Sequence, residues 1–139
     1  MIMKRDIKFR GKSTDTGKWI YGFLSFFYTA GRDENGLIFT DKAKIYSPED
    51  CRCDDVWAET VGQFTGLYDK DEKEIYEGDI LMCEQHIALV LWNKELATFA
   101  LQFDFEKKVG MRPLGEWHAM TVVSNIHDNP NLLKENSHK

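Results

Sequence analysis

The chain has 139 residues, of which 42% are hydrophobic and 13% aromatic, enough for one domain with a core of ordinary size. Its net charge is −5 and its pI about 5.4, opposite to the basic balance of most nucleic-acid-binding domains. Apolar runs such as residues 87–92 are far shorter than the ~20 residues that cross a bilayer. The first residues also lack the apolar core of a secretory signal. We therefore expect a cytoplasmic protein with no membrane partner.

Cysteine use and motif spacing argue against disulfides, metals and nucleotide cofactors. Cys51, Cys53 and Cys83 cannot all pair within the chain, and a domain this rich in aromatic residues does not depend on disulfides. Cys51 and Cys53 form a C-x-C pair, which is shorter than the spacing of structural zinc sites, and no second pair accompanies it. No phosphate-binding glycine loop occurs. We expect reduced thiols, no metal and no cofactor.

The N-terminal part of the chain predicts two β-hairpins. Residues 6–12 alternate apolar and charged side chains, a turn-forming segment follows, and residues 19–27 form an apolar run, which is the pattern of a hairpin. Further on, Asn35-Gly36 is the dipeptide that most readily adopts the positive φ angles of a tight turn. Residues 37–46 should therefore return antiparallel to residues 23–28.

Residues 47–58 break this pattern and are expected to connect two lobes. Ser47 can cap a short helical turn that has Pro48 at its first position. Beyond the connector, a tight link is expected at Gln85-His86. Five further segments are compatible with strands: 59–65, 79–84, 87–92, 98–105 and 120–126.

These signals predict a mainly β protein with little helix. We expect coiled antiparallel sheets in a single domain, residues 1–139, with an N-terminal lobe of hairpins over residues 1–58 and a second lobe over residues 59–139. Gly78-Asp79 followed by alternating apolar residues is similar to the entry of a strand in SH3-like barrels. The C-terminal lobe is therefore expected to be small and SH3-like or barrel-like.

Three separated motifs resemble a known family. They are QFTGLYDK followed by EIYEGDIL at residues 63–81, KFRGK followed by TGKWIYG at residues 8–22, and TVVSNIHDNPNLL at residues 121–133. In this order and spacing the chain resembles the YopX family of bacteriophage and prophage proteins. The resemblance implies a mostly β fold and a family with no established biochemical activity, so it supplies no catalytic residues. The motif residues are interpreted as structural: Gly62, Gly66, Leu67, Ile75, Tyr76, Gly78, Asp79, Asn125 and Pro130.

Two positions depart from the pattern of that family. Asp71-Glu72-Lys73 stands where an Asn-Gly type of turn is common, so a longer or type I turn is expected there. Ser124 stands where glycine is expected before Asn125. In the motif itself, Leu67 and Ile75 are expected to be apolar anchors, and residues 68–73 an exposed, highly charged loop.

Candidate catalytic groups have a structural interpretation that fits better. Glu77 and Asp79 lie two residues apart, which on a strand places both carboxylates on one face, but they are typical of exposed turn acids, with Asp79 bonding its own backbone. His86, His118 and His127 are candidate general bases for which spacing indicates no partner. We therefore expect a non-enzymatic protein with no small-molecule substrate.

Binding is the function that remains, and a protein partner is the leading hypothesis. Eighteen aromatic residues exceed what a thin β core hides easily, and exposed aromatic patches mark interfaces. Phe26, Phe27 and Tyr28 are consecutive, so alternation places at least one on each side of a strand. The leading hypothesis is an accessory protein that self-associates as a homo-oligomer or binds another protein.

The alternative is a small β-barrel that binds nucleic acid. Small barrels stack bases on exposed aromatic side chains along a basic groove, and the first residues carry the basic concentration of this chain. The candidate contacts are Lys4, Lys8, Arg10 and Lys12.

Overall fold

The computed structural model describes residues 5–103, 111–113 and 120–133, so Lys4 and His118 lie outside the described residues. Within these ranges nearly all regular structure is β-strand, which confirms the prediction of a mainly β fold with little helix; a 3-10 turn covers Ala58–Thr60. The strands are β1 Phe9–Lys12, β2 Trp19–Arg32, β3 Ile38–Ser47, β4 Arg52–Trp57, β5 Gly62–Tyr68, β6 Glu74–Tyr76, β7 Asp79–Cys83, β8 His86–Asn93, β9 Thr98–Phe103, β10 Met111–Pro113 and β11 Thr121–Asn125.

The chain divides into two compact units, residues 1–64 and 65–139. In the first unit the strands lie in the order β4-β3-β2-β1-β5, with antiparallel pairing throughout. β5 runs across the boundary and has β6 as its neighbour in the second unit. The other strands of the second unit form an antiparallel sheet in the order β10-β9-β8-β7-β11. No helix in the described ranges is long and apolar enough to cross a bilayer.

Both predicted N-terminal hairpins are confirmed. β1 pairs with β2, with Lys12 opposite Trp19, and the side-chain oxygen of Ser13 accepts hydrogen bonds from the turn N–H groups of Asp15 and Thr16. β2 pairs with β3, with Phe23 opposite Tyr46, as the Asn35-Gly36 turn predicts.

The prediction that residues 47–58 form a connector is wrong for most of this segment. Only Pro48–Cys51 forms a turn, and the following residues form β4, paired to β3. Ser47 caps no helix, because it ends β3 and its hydroxyl donates to the carbonyl oxygen of Tyr21 at 2.8 Å. The acidic residues of this segment suggested a loop, but alternation places Val56 in the core and Asp55 beside Lys44 of β3.

The sheet of the first unit coils until the end of β1 approaches β4. Ser13, directly after β1, forms an isolated bridge with Val56 of β4, and the N–H of Thr14 donates to the carbonyl oxygen of Asp55 at 3.0 Å. The enclosed core is formed by the fully buried side chains of Ala43, Ile45 and Val56, with Phe9, Ile20, Leu24 and Val61 packed against them. The space inside is narrow, since a Cβ atom on Gly11 would lie 2.6 Å from a methyl carbon of Val56.

The second unit buries side chains on both faces of its sheet. Ile80 and Leu81 are adjacent on β7 and belong to different core clusters, one with Leu89 and the other with Val90. The link between β7 and β8 is a tight turn at Glu84-Gln85, since His86 is already paired with Cys83. In β11 the register shifts between Val122 and Ser124, so a β-bulge occupies the segment where glycine was expected at residue 124.

We expect Gly22→Ala to destabilise the first unit. A Cβ atom at this position would overlap the backbone carbonyl oxygen of Tyr46 on the neighbouring strand, and backbone cannot move aside as a side chain can. The free energy of unfolding should fall by about 2–3 kcal/mol, the range of overpacked positions. Urea unfolding measures it. Gly31→Ala is the matched control on the same strand, because nothing lies within 4 Å of its added Cβ; equal losses in both variants would contradict the prediction.

Candidate functional site

The side of the first sheet that points away from its core carries a group of aromatic and charged residues. Pairing places Arg10 beside Tyr21 and Lys12 beside Trp19, and strand alternation sets all four opposite the core positions. The same alternation continues over β2, β3 and β4. We call this side the outer face, formed by Arg10, Lys12, Trp19, Tyr21, Phe23, Phe26, Tyr28, Lys42, Lys44, Tyr46, Cys53, Asp55 and Trp57.

Large aromatic side chains on the outer face are open to solvent. Tyr21, Phe23, Phe26, Tyr46 and Trp57 are each between 40% and 52% exposed. They belong to three adjacent strands, so they form a group and not scattered single residues. Exposed apolar groups of this kind are uncommon on proteins that do not use them for binding.

Cationic side chains lie beside two tryptophan rings of the outer face, Trp19 and Trp57. The guanidinium of Arg10 lies 4.5 Å from the ring centre of Trp19, and the ammonium of Lys12 lies 5.5 Å from the same ring. On the other side of the face, the ammonium of Lys42 lies 5.8 Å from the ring of Trp57. Cation–π contacts of this length hold the charges in place while leaving room for a ligand.

The carboxylate of the outer face, Asp55, is engaged by its neighbours. Its Oδ1 atom accepts a hydrogen bond from the ammonium of Lys44 at 2.6 Å. This bond raises the pKa of Lys44 and lowers the pKa of Asp55. Desolvation, followed by a hydrogen bond to Asp55, raises the pKa of Tyr28. The pair therefore stays ionised, and the tyrosine neutral, throughout the physiological pH range.

The predicted nucleic-acid contacts are only partly available for such a role. Lys8 is half-buried, with its ammonium 5.1 Å from the ring of Phe64. Arg10 is buried against Trp19, so it supports the ring instead of reaching into solvent. Lys12 is half-buried beside the same tryptophan.

Sequence reasoning missed the contribution of β3 and β4 to this face. Lys42, Lys44 and Tyr46 alternate along the chain, and that period of two could have placed them on one side of a strand. Trp57 was hidden because its segment was interpreted as a connector. The alternation along β3 could therefore have predicted its contribution to the outer face, whereas the interpretation of residues 47–58 as a connector concealed the contribution of β4.

An open cavity of about 560 Å³ borders the outer face. Tyr21 and Phe23 line it together with the turns before β2 and before β4. Its charges are mixed, with carboxylates slightly in excess. The charged lining residues are Lys8, Asp15, Lys18, Glu49, Asp50, Arg52 and Asp54.

The family motif in the second unit builds a turn around a buried carboxylate. Asp69 accepts hydrogen bonds at Oδ1 from the N–H groups of Asp71 and Lys73, both at 2.8 Å, and at Oδ2 from the N–H of Val122 at 3.0 Å. The turn is longer than an Asn-Gly turn, as expected, and Glu72 takes its positive φ of 65°. The expectation of a fully exposed loop is wrong for Asp69, which is buried because it connects the turn to β11.

Further motif residues are also structural. Ile75 and Tyr76 are buried, and Gly66 and Gly78 have positive φ angles of 87° and 88°. Leu67 is 40% exposed, so the expectation that it is an apolar anchor is wrong. It lies in the C-terminal half of β5, where the last three residues are exposed.

The end of the motif is organised by Asn125. This buried side chain accepts hydrogen bonds from the N–H groups of His127 and Asp128 and donates one to the Asp128 carboxylate at 2.8 Å. Gly62 is buried at the start of β5, and Pro130 is exposed in the turn after β11.

Comparison with known proteins identifies the family of this chain. The family model described as YopX protein matches residues 8–134. The chain belongs to the YopX family. The resemblance seen in the sequence is thus confirmed. Among solved structures, the chain is similar to protein EF1440 from Enterococcus faecalis, with 25% sequence identity, coverage of 94% of this chain and 99% of that chain, and a TM-score of 0.44. No curated protein matches the chain.

Among the described candidate catalytic groups of this YopX-family chain, the imidazole of His127 lies beside Gly78, the residue between Glu77 and Asp79. The expectation that Asp79 is an exposed turn acid is wrong, because it is 1% exposed. It does bond local backbone, accepting from the N–H of Tyr76 at 2.8 Å. His86 is exposed at the start of β8, and His127 follows the Asn125 turn. The described residues contain no cluster of three or more metal-ligating side chains.

We expect Asp69→Ala to lower the free energy of unfolding by about 2–4 kcal/mol, because it leaves the buried N–H of Val122 without its acceptor and removes two bonds in the turn. Burial raises the pKa of Asp69, but the backbone N–H groups of Val122, Lys73 and Asp71 outweigh it, and the pKa lies below its ordinary 3.8. A carboxylate with a lowered pKa stabilises the fold fully above the unfolded value and loses this contribution as pH falls through the folded value.

The difference between wild type and Asp69→Ala should therefore be the same at pH 7 and pH 5 and smaller at pH 3. Urea unfolding at the three pH values measures it. Asp71→Ala is the control, since its side chain is exposed in the same turn. A difference that persists unchanged at pH 3 would show that the carboxylate charge is not involved.

Proposed function

We propose that this protein is a phage- or prophage-derived accessory protein that acts by binding, without catalysis, and that its partner, another protein, a second copy of the chain or a nucleic acid, docks on the outer face of the first unit. The observation that carries the proposal is the group of five aromatic side chains on this face, each at least 40% exposed. Membership of the YopX family is consistent with an accessory role.

Binding on this face has a clear energetic source. Covering half-exposed aromatic rings removes apolar surface from water, at about 25 cal/mol per Å². The rings sit on paired strands, and Trp57 is also held by the ammonium of Lys42, so little side-chain freedom is lost on binding. Aromatic residues at fixed positions are typical of interface hot spots.

Other exposed apolar residues support this choice of face by contrast. Leu37, Trp92, Leu96 and Val123 are at least 44% exposed, but they lie on separate turns and strands. Single exposed apolar side chains are normal on protein surfaces. The outer face is distinguished because its exposed residues share one side of adjoining strands.

Two adjacent residues of β2 allow a matched test by photo-cross-linking in cells of the bacterium that carries the gene. Phe26 and Phe27 are 50% and 49% exposed, but Phe26 pairs with Lys44 on the outer face, whereas Phe27 pairs with Ala43 on the opposite side of the strand. With p-benzoylphenylalanine in place of Phe26, irradiation should give a discrete adduct. The same group at Phe27 should give at most a few per cent of that yield.

The mass and nuclease sensitivity of the adduct identify the class of partner, and an adduct of twice the chain mass identifies a second copy. Any of these partners supports binding through the outer face. No adduct at Phe26, or equal yields at both positions, would refute it.

A further inference from the structure

The charges of the outer face decide which class of partner fits it. Lys12 and Lys42 contribute positive charge to the surface, Arg10 adds a buried positive charge, and Lys44 is paired with Asp55, the single carboxylate of the defined set. The chain as a whole has a net charge of −5, so positive charge is concentrated where the aromatic rings are exposed. A polyanion is complementary to such a surface.

A protein partner fits the same surface less well. The cores of protein interfaces are depleted in lysine, whereas Lys12 and Lys42 lie among the aromatic rings of this face. Self-association through the face would bring like charges together around a two-fold axis, which opposes pairing. The interleaved lysines therefore argue against a second copy as the occupant.

We propose that the occupant of the outer face is single-stranded DNA; this inference rests on the proposed function. The exposed rings of Tyr21, Phe23 and Phe26 present flat surfaces on which unpaired bases stack. The ammonium groups of Lys12 and Lys42 lie beside Trp19 and Trp57 of the same face, and they are the groups that would contact phosphates. Duplex bases are already stacked on each other, so a duplex gains nothing from the rings.

The outer face is not suited to selecting RNA. Proteins recognise the 2′-hydroxyl through hydrogen-bonding groups placed beside the sugar. The carboxylate on the face, Asp55, is already bonded to Lys44 and Tyr28. Stacking and phosphate contacts do not require a 2′-hydroxyl, so both are available to DNA.

The cavity beside the face sets the direction of the bound strand. Its carboxylates, among them Asp15 and Asp54, outnumber its cations and repel phosphates. The opposite side of the face carries Lys42 beside Trp57. The strand is thus expected to run from Tyr21 across β2 and β3 towards Trp57, away from the turns that line the cavity.

The test is fluorescence anisotropy of the full chain with fluorescein-labelled (dT)20, with a 20-base-pair duplex and (rU)20 as competitors. The (dT)20 oligonucleotide should bind at least about tenfold more tightly than the duplex, and (rU)20 no more tightly than (dT)20. With about three phosphates neutralised, affinity should fall by about tenfold or more between 50 and 200 mM NaCl.

Two matched pairs of variants locate the site. Phe26→Ala should weaken (dT)20 binding by about tenfold, the loss expected for one stacked base, while Phe27→Ala stays within about twofold. Lys42→Glu should weaken binding and reduce the salt dependence, while Lys94→Glu, on an exposed turn of the second unit, leaves both unchanged. Phe23→Ala provides a second ring variant, and circular dichroism confirms that each variant is folded.

Failure of this inference is distinct from failure of the proposed function. Absence of (dT)20 binding at 50 mM NaCl, equal effects of Phe26→Ala and Phe27→Ala, or a preference of more than about tenfold for duplex or RNA would overturn single-stranded DNA as the occupant. If Phe26 still cross-links to a protein in cells, binding through the outer face stands with a different partner. If Phe26 cross-links to nothing, both proposals fall.

Discussion

The closure of the first sheet, where Ser13 meets Val56, is the constraint on which the organisation of this unit depends. Once the end of β1 lies against β4, the enclosed space is narrow: it holds Ala43, Ile45 and Val56 with Phe9 packed against them, and at Gly11 and Gly22 it excludes even a Cβ atom. Other large aromatic side chains of β2 and β3 lie on the outer face, where Phe23 and Tyr46 are exposed.

In the second unit, buried polar side chains determine the shape of the turns. Its family motif needs turns of defined shape between short strands, and Asp69, Asp79 and Asn125 each satisfy backbone N–H groups at such a turn. Hydrogen bonds from several N–H groups offset the desolvation of a buried carboxylate. Asp79, one of the two acids that first suggested chemistry in this motif, is therefore used to fix the backbone.

The sequence predicted local structure well and long-range structure less well. Asn35-Gly36 specified a hairpin because a tight turn is determined by its own residues. β4 was missed because residues 47–58 break the strand pattern, and the contact of Asp55 with Lys44 depends on the register between β4 and the preceding strand, β3. Alternation likewise divided each strand into two faces. It could not tell which face the closure would bury, and so Tyr21 and Trp57 were not assigned to a site.

Placing the aromatic rings outside a core defined by Gly11 and Gly22 has an evolutionary consequence. Substitutions on the outer face alter little of what holds the first unit together, so its surface chemistry can diversify at low cost to folding. Members of one family can then keep the same scaffold while diverging in what they bind. On the proposed function, recognition and architecture depend on different residues of this unit, so similarity in the motifs of a relative need not extend to the identity of its ligand.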